Sequence, residues 1–198
     1  MLAAEASFEP GSDGFNAVLQ IVQGVIHEGD AALVDYTRRF DAPDFNAERL
    51  RVPEQEMRDA HAQTDAALLD SLRRAIDNVR AYQSAIFVGD KDKTDSPGIR
   101  YTPIRRVGVC VPGASAPLPS TVIMTAVPAQ VAGVREIAVV SPPRYQGTIH
   151  PVILAVCHEL GIREVYRVGG AQAVAALAAG TRTIPRVDKI VGPGNTWV

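Results

Sequence analysis

Three apolar runs in the second half of the chain each end on a Gly/Pro turn. VGVCV (107–111) leads into Pro112-Gly113, EVYRV (164–168) into Gly169-Gly170, and DKIV (188–191) into Gly192-Pro193-Gly194. A fourth run, EIAVV (136–140), lies between the first two. Short, nearly continuous apolar runs are the mark of strands buried on both faces, and such strands are parallel and joined by helices. Helical patterns fill the gaps, over 120–132, 146–160 and 170–179. This alternation predicts β-α-β units and a parallel sheet. In an open parallel sheet ligands bind outside the carboxyl ends of the strands, so the three turns are expected to share one functional edge. Pro128 falls inside the first of these helices and is expected to kink or split it.

The first half has a different texture. Phe15, Val18, Leu19, Val22, Val25 and Ile26 repeat at helical spacing, with Ser12 or Asp13 as a cap and Gly29 as the stop. Asp30 is placed to cap the next helix, in which Leu33, Tyr36 and Phe40 share a face. Pro53 opens a short helix over 53–61. The clearest amphipathic stripe runs over 65–85, through Leu68, Leu69, Leu72, Ala75, Ile76, Val79 and Tyr82. All these stripes read as packing faces. The polar run GDKDKTDSPG (89–98) is the expected connector between a helical region, 1–98, and an α/β domain, 99–198, whose first residues (99–104) are extended.

Composition narrows the function classes. Hydrophobic residues make up 46% of the chain, charged residues 21%, and the net charge is −2. Without a long basic run, a nucleic-acid partner is not expected; Arg100, Arg105 and Arg106 read as a solvated face. No apolar stretch reaches the roughly 20 residues of a spanning helix, and the N-terminus lacks the pattern of a signal peptide, so no membrane association is expected. Cys110 and Cys157 lack metal-type spacing and are expected to be reduced thiols of a cytoplasmic protein. Cys157 and His158, adjacent in a helix, point in different directions. With His27, His61 and His150 they form no recognisable ligand set.

Each turn carries its own chemistry. Gly113 allows a tight turn, with Ser120 or Thr121 available to cap the following helix, whose free N–H groups can hold an anion. The motif is neither G-x-G-x-x-G nor a Walker loop, and on the residues alone a plain strand–helix connection is the better explanation of it. Gly169 and Gly170 let a ligand approach the backbone, and Gln172 offers a donor and an acceptor, or else a buried structural amide. Asn195, after Gly192-Pro193-Gly194, is a ligand contact, a cap or a turn former.

The strings VPG-x-x-APL, STV-x-M-x-A-x-PA-x-VAGV, VGGAQA-x-AALA-x-GT and VDKIVGPGN, in this order, resemble the histidinol dehydrogenase family. The likeness is strong from Ile99 to Val198 and weaker from about Asn16 to Tyr82. It implies an α/β fold: an N-terminal helical region followed by an incomplete Rossmann-like parallel sheet with flanking helices. It also implies a homodimeric enzyme that oxidises an amino alcohol, L-histidinol, to L-histidine in two steps with NAD and zinc. By motif, the NAD contacts fall on Cys110, Gln172 and Asn195. Many members have Tyr where Cys110 stands, and a second glycine where Ala114 stands. The family's zinc ligands, substrate ligands and Glu-His proton-transfer pair follow GPGN. No catalytic or metal residue is therefore expected in 1–198, which resembles an N-terminal portion inactive alone. A related zinc- and NAD-dependent alcohol dehydrogenase, or a non-catalytic nucleotide-binding remnant, are the alternatives.

Overall fold

The computed structural model describes residues 9–89, 100–113 and 116–194. Four helices come first: α1 (Asp13–Glu28), α2 (Asp30–Phe40), α3 (Glu54–Gln63) and α4 (Ala66–Ile86). Strand and helix then alternate as β1 (Arg106–Cys110), α5 (Pro119–Val131), β2 (Glu136–Val140), α6 (Pro151–Glu159), β3 (Glu164–Tyr166), α7 (Gly170–Ala179) and β4 (Lys189–Val191). The strands form one parallel sheet in the order β3-β2-β1-β4, with Val107 opposite both Ile137 and Lys189, and Val139 opposite Val165. The expected fold class is the one found. Chain order reverses between β1 and β4, which is the switch point at which such sheets hold ligands.

The two-residue period of the strands sorts the core into two layers. Val107, Val109, Ile137, Val139 and Val165 pack with Met57, Leu72, Ile76, Ile123 and Ile153 beneath α3–α6. Ala138, Val140 and Tyr166 face the other way and pack with Val25, Leu33, Ala173 and Leu177 from α1, α2 and α7. Helix α3 lies against α6, α4 against α5, and α1 and α2 against α7. The early helices thus supply an outer layer on each face of the sheet.

Several local expectations need correction. Asp30 does not cap α2: Gly29 is the cap residue, and the Asp30 carboxylate instead accepts hydrogen bonds from Thr183 N, Thr183 Oγ1 and Arg182 Nε in the turn after α7. Neither Ser120 nor Thr121 caps α5, which starts at Pro119 after Leu118 with no side-chain cap. Pro128 does not split α5, which continues to Val131; Ala132 N donates to Pro128 O. Pro53 precedes α3 as its cap residue. Helix α6 begins at Pro151 rather than 146, because Gln146 and Gly147 adopt positive φ (50° and 75°) in a turn closed by Tyr145 and Thr148. The α4 stripe is buried only at its middle: Leu72 and Ile76 are in the core, whereas Leu68 and Tyr82 are 43% and 63% exposed. In α1 only Val25 is fully buried.

Salt bridges tie the amino ends of the strands. Arg106 opens β1 and is 2% exposed; its guanidinium donates to Glu136 of β2 (2.9 Å) and to both oxygens of Glu164 of β3 (2.5 and 2.8 Å). The Tyr166 hydroxyl donates to Glu164 as well. Asp188, just before β4, accepts from the backbone N–H groups of Arg105 and Arg106. The charged network therefore lies at the end of the sheet opposite the Gly/Pro turns.

Candidate functional site

A cleft of about 910 Å³ opens at the carboxyl ends of the strands. One side is made of turns: Cys110, Pro112 and Gly113 after β1, Gly169, Gly170 and Gln172 after β3, and Pro193 and Gly194 after β4. Val140 and Pro142 add the end of β2. Helices α1 and α2 close the opposite side through Gln20, Ile21, Tyr36 and Phe40. Three distant motifs thus converge on one space, as their shared sheet edge predicts.

The turns are shaped by close backbone approach. Gly192 has φ of 131°, and a Cβ there would lie 2.2 Å from the Cys110 carbonyl oxygen, so only glycine lets the β4 turn cross behind β1. Gly169 sits against the Pro142 ring, where a Cβ would come within 2.7 Å. These contacts bring the turns after β2 and β3 together under the cleft.

Two of the three residues assigned by motif line this space. Gln172, the third residue of α7, is 2% exposed, and its amide makes no hydrogen bond to a described residue. An amide at the wall of a cleft with no hydrogen bond to a described residue keeps its donor and acceptor available to a ligand. Cys110 is half-buried, and burial pushes its thiol up to about 11, so it stays protonated at neutral pH. Asn195 lies outside the described residues, as do Ala114 and Ser115; the preceding Pro193 and Gly194 are in the cleft wall.

Sequence reasoning missed the helical wall. The spacing of Tyr36 and Phe40 predicts a packing face, yet Phe40 is 50% exposed and stacks on Tyr36 with ring centroids 5.9 Å apart. Arg39 lies over both rings at 5.6 Å. Asp41, directly after α2, receives a 2.7 Å hydrogen bond from Arg144 Nε, and both residues line the cleft.

Other reactive groups lie elsewhere. Cys157 is fully buried in α6, and desolvation pushes its thiol up to about 12. His158 points outward beside His61, whose Nε2 is 2.6 Å from Glu159. Among the described residues no three His, Cys, Asp or Glu side chains converge as a metal site, and no helix is long and apolar enough to cross a membrane.

Comparison with known proteins agrees with this architecture. The histidinol dehydrogenase family model matches residues 9–198. A histidinol dehydrogenase of Rhodopirellula baltica is 53% identical over 182 residues, covering 90% of this chain and 40% of that protein. One from Geobacillus kaustophilus is 48% identical over 187 residues, covering 92% and 43%. The crystal structure of histidinol dehydrogenase from Elizabethkingia anophelis superposes with a TM-score of 0.84 at 34% identity, over 96% of this chain and 44% of that one. The chain spans about two fifths of the length of these curated relatives and corresponds to their N-terminal portion. With the motifs, the sheet order and the match over nearly all its residues in agreement, the chain belongs to the histidinol dehydrogenase family.

Proposed function

We propose that this chain forms the cofactor-binding portion of a cytoplasmic, homodimeric enzyme of histidine biosynthesis that oxidises L-histidinol to L-histidine with NAD. The observation that carries the reading is Gln172, a polar side chain 2% exposed that lines a large cleft and makes no side-chain hydrogen bond among the described residues. Pockets of this size hold drug- or cofactor-sized ligands. The apolar rings of Tyr36 and Phe40 and the backbone of the glycine turns suit an aromatic, sugar-bearing ligand. NAD therefore fits the residues present. When bound, one NAD would accept a hydride from the alcohol carbon, and a second NAD would accept another from the aldehyde stage.

Within that scheme Gln172 donates and accepts hydrogen bonds at the cofactor, and Asn195 supplies a second amide from the β4 turn. Cys110 offers a neutral, weakly polar surface, since its thiol does not ionise near pH 7. Zinc does not fit the described residues, because no set of three ligands converges among them, and no step is assigned to it. Cys110, in place of the tyrosine common in the family, also favours a second reading: a related NAD-dependent alcohol dehydrogenase with another substrate. Turnover of the full-length enzyme with histidinol against other amino alcohols separates the two.

The test of the cofactor site is calorimetric titration of NAD into the purified chain. Saturable binding is expected, with Gln172→Ala weakening it about tenfold, the worth of one buried hydrogen-bonded amide. Absence of binding, or equal binding by the variant, would overturn the assignment.

A further inference from the structure

We propose that Asp41, held in place by Arg144, reads the 2′-hydroxyl of a bound dinucleotide and makes the cleft select NAD over its 2′-phosphorylated form; this rests on the NAD reading above and deepens it. The Asp41 side chain is only 2% exposed, while its partner Arg144 is 54% exposed. Among the described residues the carboxylate accepts one side-chain hydrogen bond, 2.7 Å from Arg144 Nε. A carboxylate has about four acceptor positions, so most of its capacity is left for a ligand in the cleft it lines.

Its location gives that capacity a use. In dinucleotide-binding sheets an acid near the carboxyl end of the second strand takes the ribose hydroxyls, and an arginine there admits a 2′-phosphate instead. Here β2 is followed by Ser141, Pro142 and Pro143, none of which ionises. The carboxylate comes instead from the end of α2, and Arg144, four residues past β2, fastens it beside Val140 and Pro142. A 2′-phosphate placed there would meet the Asp41 charge. Arg144 is already engaged with that charge, and Arg39, the other cation of the cleft, stands over Tyr36 and Phe40. A strap that only joined α2 to the β2–α6 connection would show no preference between the two dinucleotides.

The experiment titrates NAD and NADP into the wild-type chain and Asp41→Asn, and adds the 2′-deoxyadenosine analogue of NAD for the wild type. The wild type is expected to favour NAD over NADP at least about tenfold, and to lose about tenfold on the deoxy analogue, as befits a hydrogen bond to a charged group. Asp41→Asn is expected to shrink the NAD preference about tenfold while its circular dichroism stays that of the wild type. A folded Asp41→Asn with an unchanged ratio overturns the proposal. If that variant does not fold, the deoxy analogue decides, and equal affinity for it and for NAD overturns the proposal. A wild type that binds NAD without preference removes Asp41's role alone, whereas one that binds no NAD removes the cofactor reading too.

Discussion

Cys110 occupies the position where β1 meets the cleft, and its chemistry there is set by desolvation. Half-burial without a cationic neighbour pushes the thiol up to about 11, so it acts as a small neutral side chain and not as a nucleophile. A ring at this position would extend the aromatic wall begun by Tyr36 and Phe40 across the mouth of the cleft. Cys110→Tyr is therefore expected to tighten NAD binding roughly three- to tenfold, the increment of an aromatic contact. A titration showing unchanged or weaker affinity would mean that the ring has no face to meet. Residues of this kind were legible only through motif: composition or periodicity would not single out Cys110 or Gln172, because each looks like an ordinary core position. Asp41 and Arg144 were invisible for a different reason. They are 103 residues apart, and only the packing of α2 over the sheet edge joins them.

At the level of elements, the strands and the helices between them were readable because parallel strands carry continuous apolar runs and a glycine follows each connecting helix (Gly133, Gly161 and Gly180). Helix α7, at 170–179, has the bounds that its pattern predicts. The misplacements at Asp30 and at the start of α6 have separate local causes. Asp30 serves the turn after α7, and α6 starts late because Tyr145–Thr148 form their own turn. Arg106 illustrates the same point for charge. It reads as a surface arginine beside Arg100 and Arg105, but it is nearly fully buried and bridges three strands. Glu164 is held below the usual carboxylate range, chiefly by the Arg106 hydrogen bond. Arg106→Met, which keeps volume but strands two carboxylates, is expected to destabilise the fold by about 3 kcal/mol. Urea unfolding measures it, and a loss under about 1 kcal/mol would show that solvent already satisfies Glu136 and Glu164.

The molecule as a whole separates its charges by role. Carboxylate–guanidinium networks stand at the amino end of the sheet and between the outer helices, whereas the cleft at the carboxyl end is lined by turns, aromatic rings, the Gln172 amide and the single Asp41–Arg144 pair. Between the outer helices, Glu159 of α6 accepts two hydrogen bonds from Arg73 of α4 and lies 2.6 Å from His61 of α3. Arg73 is the largest cause that lowers Glu159 from 4.5 to about 2. A depressed folded-state value means that the unfolded chain binds the proton first on acidification. The cluster's contribution is thus fully present above about pH 4.5 and is lost as pH falls toward 2. Solvent reaches these side chains, Arg73 above all, so screening keeps the contribution at pH 7 small. Glu159→Gln is accordingly expected to leave the neutral-pH melting temperature within a few degrees of wild type, and to flatten the fall in stability between pH 4.5 and 2. Parallel melting curves for both proteins across that window test the sign directly. Equal slopes would mean that α3, α4 and α6 are held by their apolar faces alone, with Met57, Leu72, Ile76 and Ile153 sufficient to keep the outer layer on the sheet that carries the cleft.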